Sequence, residues 1–413
     1  KNIKKKQVSN GLITDPEDIV TVGNFCLEKH FSFGFAKPWL GDGLITGTVW
    51  KRHRKLINPA FSLQIIQGFI DVFNATSREM VDSLAIEVNK GPINASTYFH
   101  DNAMKNLSQT ALGIGTSEEG STLFRKYMHA VDEILEVVVM RFQNIWLQSN
   151  LIYKLIGLKK KEADLIKRSK MGNTKNDSLD TTISTGPKSK VLLDLLLELS
   201  DDSLTDKEIR EEVDTFMVAG TDTSAWLVNY VCSAIGTYPH VQEKMVEELT
   251  QTFEVSDRDV GKEDLQKLVY VEAVIKETLR LYPIGPVSLR TVNSLLLVEN
   301  HYLRPGDHVI MSFYGVNRHA MWGSDANHFR PERWLEVDSL PKIYGGFGIG
   351  KRSCIGKSYA MMSIKILLVH LLRQYRIHGD ITKLQLKMDF IAKPVSGHHI
   401  ALTERSSGIR KQT

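Results

Sequence analysis

FGIGKRSCIG, Phe347 to Gly356, sets a single cysteine between glycines and basic residues, directly before the run IGKSYAMMSIKILLVHLLRQY. Gly348, Gly350 and Gly356 allow the backbone to bend sharply and to approach a flat ligand closely. The apolar run that follows reads as a helix, which places Cys354 at a helix N-terminus. A thiolate there is stabilised by free amide N–H groups, by the positive end of the helix dipole and by the charge of Arg352. Such a sulfur is an anionic metal ligand. Taken alone, a cysteine beside a glycine-rich turn is more often an inert buried thiol, so the rest of the chain has to decide between the two.

The chain has 413 residues, enough for two domains or one large helical one. Apolar residues at 42% and charged residues at 24% are ordinary globular values. A net charge of +4 is too small to argue for nucleic acid. Cys26, Cys232 and Cys354 lie far apart without CxxC spacing, which suggests neither a disulfide framework nor a zinc cage and fits a reducing environment. No apolar run is long enough to span a bilayer, and the basic start KNIKKKQVSNGL is not followed by the apolar segment of a signal peptide.

Apolar residues recur at helical spacing over 63–88, 123–147, 240–253 and 261–283. The stretch 204–239 opens on a capping signal at Thr205, stays apolar on every side and ends at Gly236 and Pro239, which predicts a long buried helix. Short strand signals fall at 294–299, 308–313 and 386–392, with Pro305-Gly306 as a turn between the first two. The expected fold is therefore mainly α with a minor sheet part. The polar stretch 169–190 reads as a mobile surface loop.

The complete pattern F-x-x-G-x-R-x-C-x-G resembles the haem-binding loop of the cytochrome P450 monooxygenases. The resemblance implies a single P450 domain over 1–413 with haem b (iron protoporphyrin IX) as cofactor, Cys354 as axial thiolate, Arg352 on a haem propionate, and Phe347, Gly348 and Gly356 shaping the loop. AGTDTS, Ala219 to Ser224, looks like the family's oxygen-activation motif in the long helix. Thr223 is expected to bond back to the Ala219 carbonyl, opening with Gly220 a notch for O2, and Asp222 to relay protons. ETLR and FRPERW match the structural triad Glu277, Arg280 and Arg333, which is expected to be buried. WKRHR supplies Trp50 and Arg54 of the family's W-x-x-x-R helix, and Arg290 sits where a further propionate-binding arginine is placed. His53 and His319 show no metal spacing and read as core or surface residues.

The match runs from TDPEDI to the last strand signal, and RHRKLINPAFS and NRHAMWGSDANHFRPERW resemble the animal microsomal branch that includes fatty-acid ω-hydroxylases and their insect relatives. Where many ω-hydroxylases carry a glutamate that esterifies haem, this chain has Ala219, so no covalent haem bond is expected. The sequence opens without the branch's membrane anchor and first sheet strands, from which an unpaired sheet edge is expected. Phe216, Ile284, Val287, Ser288, Leu289 and Val395 are expected to line an apolar substrate pocket, with Phe33, Phe35 and Trp39 as its roof. The segment 145–161 pairs apolar residues with lysines, as a membrane-surface segment does, and Lys342, Lys351 and Lys357 suggest a basic face for an acidic flavoprotein. The resemblance implies NADPH-cytochrome P450 reductase and cytochrome b5 as partners, a lipophilic substrate, and the cytosolic face of the endoplasmic reticulum membrane. Two other readings use the same haem site: a sensor or carrier without turnover, and an isomerase or dehydratase that needs no O2.

Overall fold

The structure, a computed structural model, describes residues 10–47, 49–113, 118–169, 191–198, 204–254, 256–299, 301–388, 391–395, 397 and 399–405. The loop expected at 169–190 lies, apart from Ser169, outside the described residues. The chain is predominantly helical with small sheets, and it divides into two compact units. One comprises residues up to 28, 61–106 and those from 220 onward, and the other comprises 29–60 and 107–219.

The long helix, Asp206–Thr237, follows the predicted stretch closely. Its start is a reciprocal cap in which the Thr205 hydroxyl accepts from the Glu208 amide at 3.3 Å and the Glu208 carboxylate accepts from the Thr205 amide at 2.9 Å. Pro239 then opens the next helix, Pro239–Phe253. Two predicted helices are interrupted. The 63–88 pattern becomes Leu63–Gln67 and Ile70–Ser83, because the chain turns at Gly68, whose amide closes back on the Ile65 and Ile66 carbonyls. The 261–283 pattern splits at Leu268 into Lys262–Lys267 and Val269–Leu281. The Glu248 carboxylate, from the preceding helix, accepts from the amides of Tyr270 at 2.6 Å and Val271 at 2.9 Å and so caps the second piece.

In the first unit the helix Lys357–Gln374 packs chiefly on Ile70–Ser83, and Ile366, Leu368, Val369 and Leu371 are buried completely. A four-stranded sheet is ordered Asn10–Ile13, His308–Ser312, Val287–Thr291, Glu28–Lys29. The first pair is parallel, with Asn10 opposite His308, and the second antiparallel, with Val287 opposite Ser312. Among the described residues Asn10–Ile13 pairs on one side only. Ile19, Val22, Val309, Met311, Phe313 and Ile349 form the apolar cluster behind this sheet. The strand signals at 294–299 and 386–392 resolve into two hairpins, Leu296–Val298 with His301–Leu303 and Leu386–Met388 with Ala392–Pro394. Strands such as Val287–Thr291 and His399–Glu404 were not predicted, since alternation over five or six residues hardly differs from chance.

In the second unit Glu118–Gln143 packs on Leu158–Ser169. Arg141 is buried there with its guanidinium 4.5 Å from the Phe35 ring centroid and 4.1 Å from that of Tyr153. The first half of the long helix holds the 41–47 turn: Glu211 accepts from the Asp42 amide at 2.9 Å and Glu212 from the Leu44 amide at 3.1 Å. His53 is fully buried with Nδ1 2.7 Å from the second Glu212 oxygen, a core histidine as the sequence suggests.

Candidate active site

The cysteine loop is shaped by glycine where nothing else fits. Gly348 and Gly350 have φ of 77° and 80°, in the left-handed region. A Cβ on Gly350 would lie 2.3 Å from the Gly23 carbonyl group, so the loop rests directly on the backbone of the helix Pro16–Phe25. The loop is then closed by its own amides, Ser353 donating to the Gly350 carbonyl at 3.0 Å and Cys354 to the Phe347 carbonyl at 2.8 Å. Asn317 anchors the approach by accepting from the Gly345 amide at 2.8 Å. Cys354 ends up exposed, just ahead of Gly356, the N-cap of the helix Lys357–Gln374. It borders a cleft of about 270 Å³ shared with Lys342, Ile343, Phe347 and Lys357.

 

Arg290, on the strand Val287–Thr291, is 2% exposed and pairs with no carboxylate among the described residues. One guanidinium nitrogen donates to Ser288 Oγ at 2.6 Å and to the Leu289 carbonyl at 3.0 Å, while Nε is buried without a partner. Burial drives its pKa down to about 10. A cation held this way is suited to an anion, as an unpaired buried charge is costly. Arg352 is half-buried and donates from Nε to the Leu27 carbonyl at 2.9 Å. Haem presents iron to a thiolate, a flat face to closely packed backbone and carboxylates to buried cations. The exposed Cys354, the glycine-compressed loop and the uncompensated Arg290 fit it on these three counts. In the second unit, Trp50 is buried at the start of Trp50–Ile57 and Arg54 donates to Asn58 Oδ1 at 2.7 Å.

Glu277, Arg280 and Arg333 are brought together and buried. Arg280 binds Glu277 through two bonds of 2.8 Å, and Arg333 Nε adds a third of 3.0 Å. The Arg330 amide and the Trp334 indole also donate to Glu277, at 2.9 Å and 3.0 Å. The remaining guanidinium hydrogens reach carbonyls of Asn317, Trp322 and His328. The network thereby ties the helix Val269–Leu281 to the irregular chain that leads to the cysteine loop. Sequence reading identified the three charged members but not Trp334 or Asn317, whose part depends on where the chain returns.

The long helix is continuous through Ala219–Ser224. Thr223, Ala219 and Gly220 are half-buried. Asp222 is buried and meets two side chains, Lys393 Nζ at 2.9 Å and His100 Nε2 at 3.5 Å. Burial pushes its carboxyl up, but the bonds to His100 and the charge of Lys393 outweigh this and hold it below the usual carboxylate range. Neither partner was legible in the sequence, since nothing local links positions 100 and 393 to 222. Of the expected pocket residues, Ile284 is buried, Val287, Ser288 and Leu289 are half-buried and Val395 is exposed, all in the first unit. Phe216 and Trp39 are buried in the second, where Phe33 lies under Lys29 and Phe35 under Arg141. Among the described residues no group of histidine, cysteine and carboxylate side chains could hold a metal ion as a cluster.

A family model described as Cytochrome P450 matches residues 13–400. Cytochrome P450 4V2 of Mus musculus is 32% identical over 415 aligned positions, covering 94% of this chain and 78% of the relative. Cytochrome P450 4V2 of Homo sapiens is 31% identical, with 95% and 79% covered, and Cytochrome P450 4c21 of Blattella germanica 30%, with 95% and 83%. With a match across nearly its whole length and a mainly helical fold built around the cysteine loop, this chain belongs to the cytochrome P450 family of haem monooxygenases.

Proposed function

We propose that this P450 oxidises a lipophilic substrate, a fatty acid, hormone-like lipid or xenobiotic, with haem b held by Cys354 and electrons passed from NADPH by a flavoprotein reductase. When bound, haem supplies the redox chemistry by which one atom of O2 enters the substrate. Cys354 would ligate the haem iron, and Phe347, Gly348 and Gly356 shape its loop. Arg290, Arg352 and Arg54 would hold propionates, and Trp50 belongs to the same W-x-x-x-R pattern as Arg54. Ala219 and Gly220 give the long helix a low profile, and Asp222 and Thr223 manage protons. The Glu277, Arg280 and Arg333 network is structural. The observation that carries the reading is the exposed thiol on a glycine-compressed loop, in the same unit as a buried arginine, Arg290, that has no carboxylate partner among the described residues.

The apolar side chains of Ile284, Val287 and Phe216 support a lipophilic substrate. Lys342 and Lys357, on the Cys354 cleft, and the exposed Lys351 support docking of an acidic reductase domain, with cytochrome b5 as a second donor. Ile145, Trp146, Leu151, Leu155 and Ile156 are all exposed and precede Lys159, Lys160 and Lys161, which supports contact with a membrane surface such as the cytosolic face of the endoplasmic reticulum. Among the described residues no helix is long and apolar enough to cross a membrane.

The test is the ferrous carbon-monoxide spectrum of the haem-loaded chain. The parent shows the red-displaced Soret band of thiolate ligation and Cys354→Ala loses it. A band that survives the substitution overturns the assignment. Product formation with NADPH and reductase then separates turnover from mere haem carriage.

A further inference from the structure

We propose that His100 is the group through which protons enter at Asp222, with Lys393 holding the carboxylate between deliveries. This rests on the monooxygenase reading above. His100 lies on the helix Ser96–Leu112, and its Nδ1 is 2.7 Å from the Ser96 carbonyl. A carbonyl only accepts, so Nδ1 carries hydrogen in both charge states and Nε2 is the nitrogen that gains and loses a proton. Nε2 is 3.5 Å from Asp222 Oδ1. The ring stands edge-to-face against Trp226, one turn along the long helix, with centroids 5.0 Å apart at 78°, which fixes its plane.

Exposure gives the arrangement a direction. The side chain of His100 is 25% exposed and that of Asp222 7%, so the imidazole has one side in solvent and the other on a buried carboxylate. Lys393 reaches the second oxygen of Asp222 at 2.9 Å and is 23% exposed. Lys393 and His100 are the titratable side chains that face Asp222 among the described residues. An ammonium group keeps its proton near neutral pH, whereas an imidazole exchanges one. Lys393 therefore supplies standing charge and His100 the movable proton.

In the transfer, the Nε2–H bond of the imidazolium breaks and an Oδ1–H bond forms on Asp222. His100 is left neutral with Nδ1–H still on Ser96, water restores the proton to Nε2, and no electrons move. His100 acts through Asp222, so its contribution is distinct from that of any residue lining the haem.

Two measurements on the full haem-loaded chain test this. In the ferrous carbon-monoxide form, the NMR signals of the His100 ring move in Asp222→Asn relative to the parent, as the loss of the Nε2–carboxylate contact requires. In O2-driven turnover, His100→Gln yields at least fivefold less product per NADPH consumed, and the loss is smaller when hydrogen peroxide, which brings its own protons, replaces O2 and NADPH. Unmoved ring signals, or a product yield within twofold of the parent, overturn the proposal. If His100→Gln fails to fold, His100→Asn takes its place in the turnover measurement. A parent chain without the thiolate band overturns the monooxygenase reading instead, so the two failures are distinguishable.

Discussion

Five donors converge on the Glu277 carboxylate, and at the scale of single residues this makes it the most consequential charge in the first unit. Replacing it by Gln leaves the buried Arg280 guanidinium short of its anion and Arg333 with only Asp325, 3.2 Å away, as a carboxylate partner. Breaking a buried pair in this way costs ~3–5 kcal/mol, so Glu277→Gln should unfold at clearly lower denaturant and lose haem first. A shift worth under ~1 kcal/mol would show that the network is dispensable. His370 makes a second residue-scale prediction. It is buried on the helix Lys357–Gln374, its Nε2 2.8 Å from Asn74 Oδ1, and burial together with the charges of Arg78 and Arg373 lowers its pKa to about 4. Its folded pKa lies below the unfolded value, so stability is full above pH ~6.5 and falls as pH drops toward ~4, by up to ~3 kcal/mol. Denaturation curves at pH 7 and pH 5 should show this loss, and His370→Gln should flatten it. Cys354 and the charged triad were legible in the sequence because their spacing is local, whereas the role of His370 depends on Asn74, nearly three hundred positions away.

Among the elements, the long helix depends on its cap. Thr205 and Glu208 exchange bonds, and the Thr205 amide and hydroxyl, with His53 and Arg52, hold the Glu208 carboxyl at a pKa of about 2. Thr205→Ala should cost ~1 kcal/mol and Thr205→Gly less, measurable as a drop in the denaturation midpoint. An unchanged midpoint would mean that packing alone sets the helix start. The segment Ile145–Gln148 and the helix Asn150–Leu155 present apolar side chains to solvent ahead of a lysine run. Anionic vesicles should shift Trp146 fluorescence to the blue, and Trp146→Ser with Leu155→Ser should weaken binding about thirtyfold or more, since each removed side chain forfeits ~1–2 kcal/mol of burial and ~1.4 kcal/mol is a factor of ten. Equal binding by the double variant would place the membrane contact elsewhere. Helix positions were readable from periodicity, but the breaks at Gly68 and Leu268 were not, because a carboxylate on another helix caps the second one.

At the scale of the whole molecule, the two units respond to pH in opposite directions. His53, in the second unit, has its pKa raised by the bond to Glu212 against the opposing effect of burial. Its contribution is complete below pH ~6.5 and is lost as pH rises through the raised folded value. His370, in the first unit, works the other way. Hydrogen exchange should therefore show the 41–57 region loosening as pH rises from neutral, and the Ile70–Ser83 and Lys357–Gln374 helices loosening as it falls. Parallel loosening of both regions at one end of the range would show that other groups dominate. The sequence alone determined the family, the helical class and the members of the buried triad, and it singled out Cys354 as the proposed ligand, because each rests on residues close together in the chain or on a long, evenly spaced apolar pattern. Only the tertiary structure decided which side chains meet Asp222, that Arg290 has no carboxylate partner among the described residues, and where the helices break, because those depend on partners brought from remote parts of the chain by packing.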